Sequence, residues 1–303
     1  MSVANDIIDL IGNTPIIRIN KLTTKESAEL YAKLEWYNIG GSVKDRMAKY
    51  LIEYAEIAGR LNHGKSILEA TSGNTGIALA MIAASMGYKL TVVMPESVSI
   101  ERRKLIKAYG AELILSPGTG GTAGAIDVKV GLLREHSDKF VDLDQFKDPA
   151  NVLAHYQTTA QEIIEQTNGH VSMVVVGVGT GGTGVGISRR LKHFNKEIQI
   201  IGVTPKLGYA IQGLRNPEEP NPTQLYKRDL FDEVIELSKD DQELIYSITR
   251  RAAREEGLLI GISSGAILHI ALEKAKRLGK GKTVVAVLPD SGLKYLSTPL
   301  FED

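Results

Sequence analysis

The feature that most limits how this chain can fold is an alternation of short apolar runs with segments of helical length. Residues 66–70, 89–94, 112–115, 171–178, 198–203 and 283–288 are short and mostly apolar, and they read as strands. Between them, residues 75–86, 100–109, 151–166, 184–193 and 265–278 have helical length and spacing. Strands separated in this way build βαβ units, which require parallel sheet covered by helices. The runs are almost continuously apolar rather than alternating, as expected where both faces of a sheet are buried. The expectation is an α/β fold.

Four segments dense in Gly, Ser or Thr, or with the residues of a turn, fall directly after apolar runs. Thr71-Ser72-Gly73-Asn74-Thr75-Gly76 follows 66–70, and Gly177-Val178-Gly179-Thr180-Gly181-Gly182-Thr183 follows 171–176. Ser263-Ser264-Gly265 follows the run 258–262, and Pro289-Asp290-Ser291-Gly292 follows 283–288. Ligands of open parallel sheets bind beyond the carboxyl ends of the strands, so these loops indicate a ligand site before any motif is named. The 177–183 loop lies between a strand and a helix, where backbone N–H groups and a helix N-terminus converge on an anion. Thr180 and Thr183 add hydroxyl donors. Phosphate suits this loop better than a dinucleotide. Gly177, Gly179 and Gly182 match Gly-x-Gly-x-x-Gly, yet the next strand ends in Thr204 where a ribose would need an acid, and no Walker lysine follows. The plainer alternative is a tight strand–helix turn with no ligand.

Plainer alternatives also stand beside the other three loops. Ser72 or Asn74 reads equally well as the cap of the helix from 75, and capping is compatible with gripping a carboxylate. Ser263 taken alone reads better as the N-cap of 265–278, and Asp290 as a turn former. Lys44 sits where a helix begins and by itself is a solvated first-turn residue. Beside a phosphate site it becomes an amine able to form a Schiff base, because desolvation favours loss of its proton.

Composition removes several function classes. Lys+Arg and Asp+Glu both total 36, leaving no net charge to attract nucleic acid or an anionic membrane. No apolar run approaches the ~20 residues of a membrane span, and the first residues lack the pattern of a secretory signal. The absence of Cys excludes disulfides, thiolate metal sites and a cysteine nucleophile. A cytoplasmic protein with no metal is the expectation. The chain divides near Asp148-Pro149, and the Pro-rich stretch 216–222 reads as a loop of the second unit.

The motifs taken together resemble the cysteine synthase family, which includes O-acetylserine sulfhydrylases and their phosphoserine-using and cystathionine-β-synthase-like relatives. They are Ile11-Gly12-Asn13-Thr14-Pro15, Gly41-Ser42-Val43-Lys44-Asp45-Arg46, Glu69-Ala70 with the 71–76 loop, and Ser99-Ile100-Glu101-Arg102-Arg103-Lys104. To these are added Gln145-Phe146 with Pro149-Ala150-Asn151, Gly179-Thr180-Gly181-Gly182-Thr183, Gly261-Ile262-Ser263-Ser264-Gly265 and Tyr295-Leu296-Ser297-Thr298. The resemblance spans essentially the whole chain. It implies a fold of the tryptophan synthase β-like type, with two domains of parallel-rich sheet flanked by helices and pyridoxal 5′-phosphate in the cleft between them. Residues 45–150 would form a smaller, mobile domain that closes on substrate, and residues 1–44 with 151–303 a larger one holding the cofactor phosphate.

The resemblance also implies roles. Lys44 would carry the cofactor as a Schiff base and act as general base, Gly179, Thr180, Gly181, Gly182 and Thr183 would hold its phosphate, and Asn74 its 3′-oxygen. Ser263 would face the pyridine nitrogen, a neutral partner that suits elimination rather than transamination. Thr71, Ser72, Thr75 and Gln145 would hold the substrate carboxylate. The implied reaction is β-replacement on O-acetylserine or O-phosphoserine by sulfide, through an aminoacrylate, to give L-cysteine in a homodimeric enzyme. Condensation with homocysteine, or cysteine breakdown to sulfide, is the alternative. Two departures stand out. Ile39 follows Asn38 where the family usually has proline, and the segment 208–216 looks closer to phosphoserine-using members, in which an arginine, here Arg215, meets the substrate phosphate. The sequence shows no haem-binding extension or regulatory domain of the kind found in full-length cystathionine β-synthase, so a full-length enzyme of that type is not expected.

Overall fold

The computed structural model describes residues 3–71 and 73–302. Among the described residues, ten strands form two sheets. The larger sheet contains β1 (Ile16–Arg18), β2 (Glu29–Leu34), β7 (Met173–Gly177), β8 (Gln199–Pro205), β9 (Glu233–Leu237) and β10 (Thr283–Leu288), in the order β1-β2-β10-β7-β8-β9. The smaller contains β3 (Ser66–Ala70), β4 (Lys89–Pro95), β5 (Glu112–Ser116) and β6 (Phe140–Asp142), in the order β5-β4-β3-β6. Every pairing is parallel except β1 with β2. The central strands are buried along nearly their whole length, which is why they read as mostly apolar runs rather than alternating ones, although β3 buries Glu69.

Helices cover both sheets: α1 (Lys44–Ile57), α2 (Asn74–Met86), α3 (Ile100–Ala108), α4 (Gly121–Glu135), α5 (Ala150–Ala154), α6 (Ala160–Gln166), α7 (Gly182–Phe194), α8 (Gln242–Glu256) and α9 (Ile262–Leu278). The smaller sheet's core takes in Met47, Leu51 and Ile52 of α1 and Ile77, Leu79 and Ile82 of α2, with Ile7, Ile8 and Ile11 packed against it. The larger sheet's core joins β2, β7, β8 and β10 to α7 and α9.

Strand order decides where a ligand can sit. In the smaller sheet the chain runs from β3 through β4 to β5 and then crosses back to β6 on the other side of β3. In the larger sheet β8 and β9 lie to one side of β7 and β10 to the other. Such reversals open a crevice at the carboxyl ends of the flanking strands. Both crevices face one another across the cavity described below.

Several sequence expectations change. Residues 258–262 join neither sheet. Ile260 makes only an isolated bridge with Ser291, and Ile262 already opens α9. Gly261 allows this turn, because a Cβ there would lie 2.2 Å from Asp290 Oδ1. The helix expected over 151–166 is interrupted by a π turn at His155–Thr159. Strand β2 escaped the apolar criterion because it contains Lys33, which is fully buried, and α4 because its three glycines depress helical propensity.

Candidate active site

A cavity of about 470 Å³ lies at the carboxyl ends of β3, β6, β7 and β10. Lys44, Thr71, Asn74, Thr75, Gln145, Gly179, Thr180, Gly181, Thr183, Arg215 and Ser263 all line it. Gly182 stands just behind the wall as the first residue of α7. Ser72 lies outside the described residues.

The 177–183 loop is shaped by glycine. Gly181 has φ +88°, and a Cβ there would lie 2.9 Å from Tyr226 Cα, so neither conformation nor space admits another residue. The N-cap of α7, Gly181, has no side chain, which leaves the helix dipole to an anion, although Gly182 N donates to Thr180 Oγ1 at 3.3 Å. Thr180 Oγ1 accepts from Asn151 Nδ2 at 3.0 Å, and Thr183 Oγ1 pairs with His155 Nε2 at 3.1 Å.

Lys44 opens α1 from a loop pinned to the segment after β10. Val43 N donates to Pro289 O at 2.9 Å, and Ser42 bridges Asp290. The lysine is part-buried rather than solvated. Burial pushes its ammonium down, opposed by the carboxylates of Asp290 and Glu35, so its free amine is more accessible than that of a surface lysine. Two residues on, Arg46 locks the first turn of α1. Its guanidinium donates to Glu35 at 2.7 and 2.9 Å and to Glu162 at 2.6 and 2.8 Å, all within the protein. Lys33 Nζ completes the group at 2.6 Å from Glu162. Burial would raise the Glu35 carboxyl, but Arg46 holds it down to about 2. The 11–15 motif proves to be a piece of this network. Thr14 Oγ1 donates to Glu35 at 2.7 Å and Thr14 O accepts from Lys33 at 2.6 Å.

Asn74 is not a cap. Gly73 occupies the cap position of α2 without a side-chain bond. Asn74 Nδ2 donates to Asp290 Oδ2 at 2.8 Å, and its Oδ1 accepts from Lys294 Nζ at 2.9 Å. Asp290 is fully buried, not a surface turn former, and also accepts from Tyr295 at 2.9 Å, while its Oδ1 has no partner among the described residues. Lys294 reaches Gly41 O at 3.0 Å, tying the lysine loop to the start of α2. Nothing in the sequence around Lys294 signals this role. Ser263 is not a cap either, because Gly261 precedes α9 in that position. It is the second residue of α9 and buried at the cavity wall.

Thr75 Oγ1 donates to Gln145 Oε1 at 2.7 Å, so the Gln145 amide nitrogen is its remaining donor. Gly73 N donates to Thr71 Oγ1 at 3.2 Å. Arg215 is no solvated loop residue. Its side chain is 12% exposed, 3.2 Å from Glu219, donates to Pro220 O and stacks over Phe146 at 5.2 Å. Its Nη1 is buried without a partner among the described residues. Thr204, at the place where a dinucleotide fold would carry an acid, spends its hydroxyl on Arg215 O at 2.9 Å.

This donor set fits pyridoxal phosphate. An uncapped helix start with two hydroxyls suits a phosphate, a part-buried amine suits Schiff-base attachment, and a neutral serine suits a ring nitrogen.

Comparison with known proteins agrees. Residues 7–290 match the family model described as pyridoxal-phosphate dependent enzyme. A cysteine synthase of Staphylococcus aureus is 42% identical over 98% of this chain and 97% of its own. The structure superposes on an O-ureido-L-serine synthase with TM-score 0.91 at 38% identity, covering 99% of this chain and 96% of that one. A hydrogen sulfide-producing enzyme of Fusobacterium nucleatum gives TM-score 0.90 at 40% identity, covering 98% and 99%. With its match from residue 7 to residue 290, the chain belongs to the family of pyridoxal-phosphate dependent enzymes.

Proposed function

We propose that this enzyme replaces the β-substituent of an O-activated serine, O-acetylserine or O-phosphoserine, with sulfide to give L-cysteine. The observation that carries the reading is the convergence of Lys44, the 179–183 cradle, Asn74 and Ser263 on one cavity. Its similarity over nearly the whole chain to a cysteine synthase supports it.

Pyridoxal phosphate, when bound, supplies the electron sink that makes the Cα–H bond of the substrate acidic. Lys44 would hold it through Nζ, and the same amine would take up the Cα proton of the substrate. The lowering of its pKa by burial increases the fraction of amine available for this. Residues 179–183 would hold its phosphate, and Asn74 would hold its 3′-oxygen. Ser263, buried at the cavity wall, would face the ring nitrogen without bringing a charge that would stabilise its protonated form. Thr71, Thr75 and Gln145 orient the substrate carboxylate, with Ser72 in the same loop. Arg215 discriminates between donors through its unpartnered Nη1.

Residues 45–150 act as the moving domain, which excludes water when it closes. The enzyme is a cytoplasmic homodimer. Exposed Tyr37 and Leu293 beside Trp36, Leu105 and Leu259 support an apolar contact with a second copy. Among the described residues, no helix is long and apolar enough to cross a membrane.

The test is product formation from O-acetylserine, O-phosphoserine, serine and cysteine, each with and without sulfide, followed by the cofactor spectrum. Cysteine from one of the esters is expected, and cysteine from neither rejects the reading. Sulfide released from cysteine alone would favour the second reading, to which the likeness to the Fusobacterium enzyme points.

A further inference from the structure

The two cradle hydroxyls are held from behind by one helix face. Asn151, in α5, donates its Nδ2 to Thr180 Oγ1 at 3.0 Å, and Gly182 N reaches the same oxygen at 3.3 Å. A threonine hydroxyl has two acceptor sites and one proton. With both acceptor sites filled, the proton of Thr180 has only the cavity to point into. One turn along, His155 brings Nε2 to 3.1 Å from Thr183 Oγ1, while its Nδ1 lies 2.9 Å from Thr159 Oγ1.

His155 lies wholly inside the protein. Burial, and secondarily the Arg46 charge, push its imidazole down to about 3, so it is neutral and carries one N–H. A proton on Nε2 lets Thr183 accept and keep its own proton for a cavity ligand, and Nδ1 then accepts from Thr159. A proton on Nδ1 would instead consume the Thr183 proton. A phosphate, which only accepts, selects the first arrangement.

Close helix approach makes this possible. A Cβ on Gly182 would lie 2.0 Å from Asn151 Oδ1, and one on Gly186 would lie 2.4 Å from Val152 O and 2.8 Å from His155 Cβ. The π turn begins at His155 itself, and single π turns inside helices are frequent at functional sites.

We propose that Asn151 and His155 are positioning residues that donate to Thr180 and Thr183 and so direct both hydroxyl protons at the cofactor phosphate. The inference rests on 179–183 being the phosphate cradle, and the experiment separates the two.

In the purified holoenzyme, cofactor Kd and the ³¹P resonance of bound cofactor are measured for His155→Phe, His155→Gln, Thr183→Val and the double variant His155→Phe/Thr183→Val. His155→Phe removes the donor and should weaken cofactor binding roughly ten- to a hundredfold with a shifted ³¹P line. His155→Gln restores an N–H donor and should recover most of both. Because His155 acts through Thr183, the double variant should be no weaker than Thr183→Val alone. Equal losses from His155→Phe in both backgrounds, or failure of glutamine to rescue a folded variant, overturn the proposal. Unchanged binding in Thr183→Val removes the cradle reading and the proposal with it.

Discussion

Replacing Arg215 with alanine should slow turnover of O-phosphoserine while leaving O-acetylserine nearly untouched. The guanidinium lines the cavity with Nη1 buried and unpartnered, and the rest of it is held by Glu219 at 3.2 Å, Pro220 O and the Phe146 ring. A hydrogen bond from a charged donor contributes about 1.5–3 kcal/mol, so losing one to a phosphate corresponds to roughly a ten- to hundredfold fall in kcat/KM. Acetate offers no dianion and gains little from that contact. Glu219 sharpens the test, since its carboxylate neutralises Arg215 and repels an incoming phosphate. Glu219→Gln should therefore raise kcat/KM for O-phosphoserine severalfold, in the opposite direction from Arg215→Ala. The assay is steady-state cysteine formation with each donor at saturating sulfide, for the native enzyme and both variants. Equal losses on the two donors in Arg215→Ala, or a fall rather than a rise in Glu219→Gln, would refute the assignment.

Lys44→Ala should abolish turnover and borohydride-stable labelling, and peptide mapping of the reduced native enzyme should find the label on Lys44 alone. Ser263→Asp should bring a carboxylate to the ring nitrogen, raise its proton affinity, alter the cofactor spectrum and slow elimination; an unchanged spectrum and rate would leave Ser263 a packing residue. Glu35→Gln strips Arg46 of a buried partner and should cost about 3–5 kcal/mol in urea unfolding. The folded Glu35 carboxyl lies at about 2, below its ordinary 4.5, so its contribution is fully present above pH 4.5 and is lost as pH falls towards 2. The native protein should thus lose stability more steeply than Glu35→Gln over that window.

The sequence by itself determined the fold class and the kind of ligand. Mostly apolar runs such as 171–178 and 283–288, alternating with segments of helical length, point to a parallel sheet buried on both faces, and a glycine loop between strand and helix suits an anion. These are local signals, since period, run length and turn chemistry are written in neighbouring residues. The motif resemblance pointed to Lys44, Asn74 and Ser263 as site residues, and the structure places all three on the cavity, whereas local propensity reads them as solvated or capping. Ser263 read as a cap and Lys44 as solvated, because a residue's own segment does not reveal what it will face. Strand β2 stayed hidden because Lys33 looks like a surface residue until Glu162, 129 positions away, pairs with it inside the protein. Asn74 meets Lys294 across 220 positions and Asp290 across 216, and His155 reaches Thr183 across 28. Only the tertiary structure decided these contacts. They depend on strand order, which brings the ends of β3, β6, β7 and β10 to one cavity, and on glycines that let two helices pack close enough for side chains to touch.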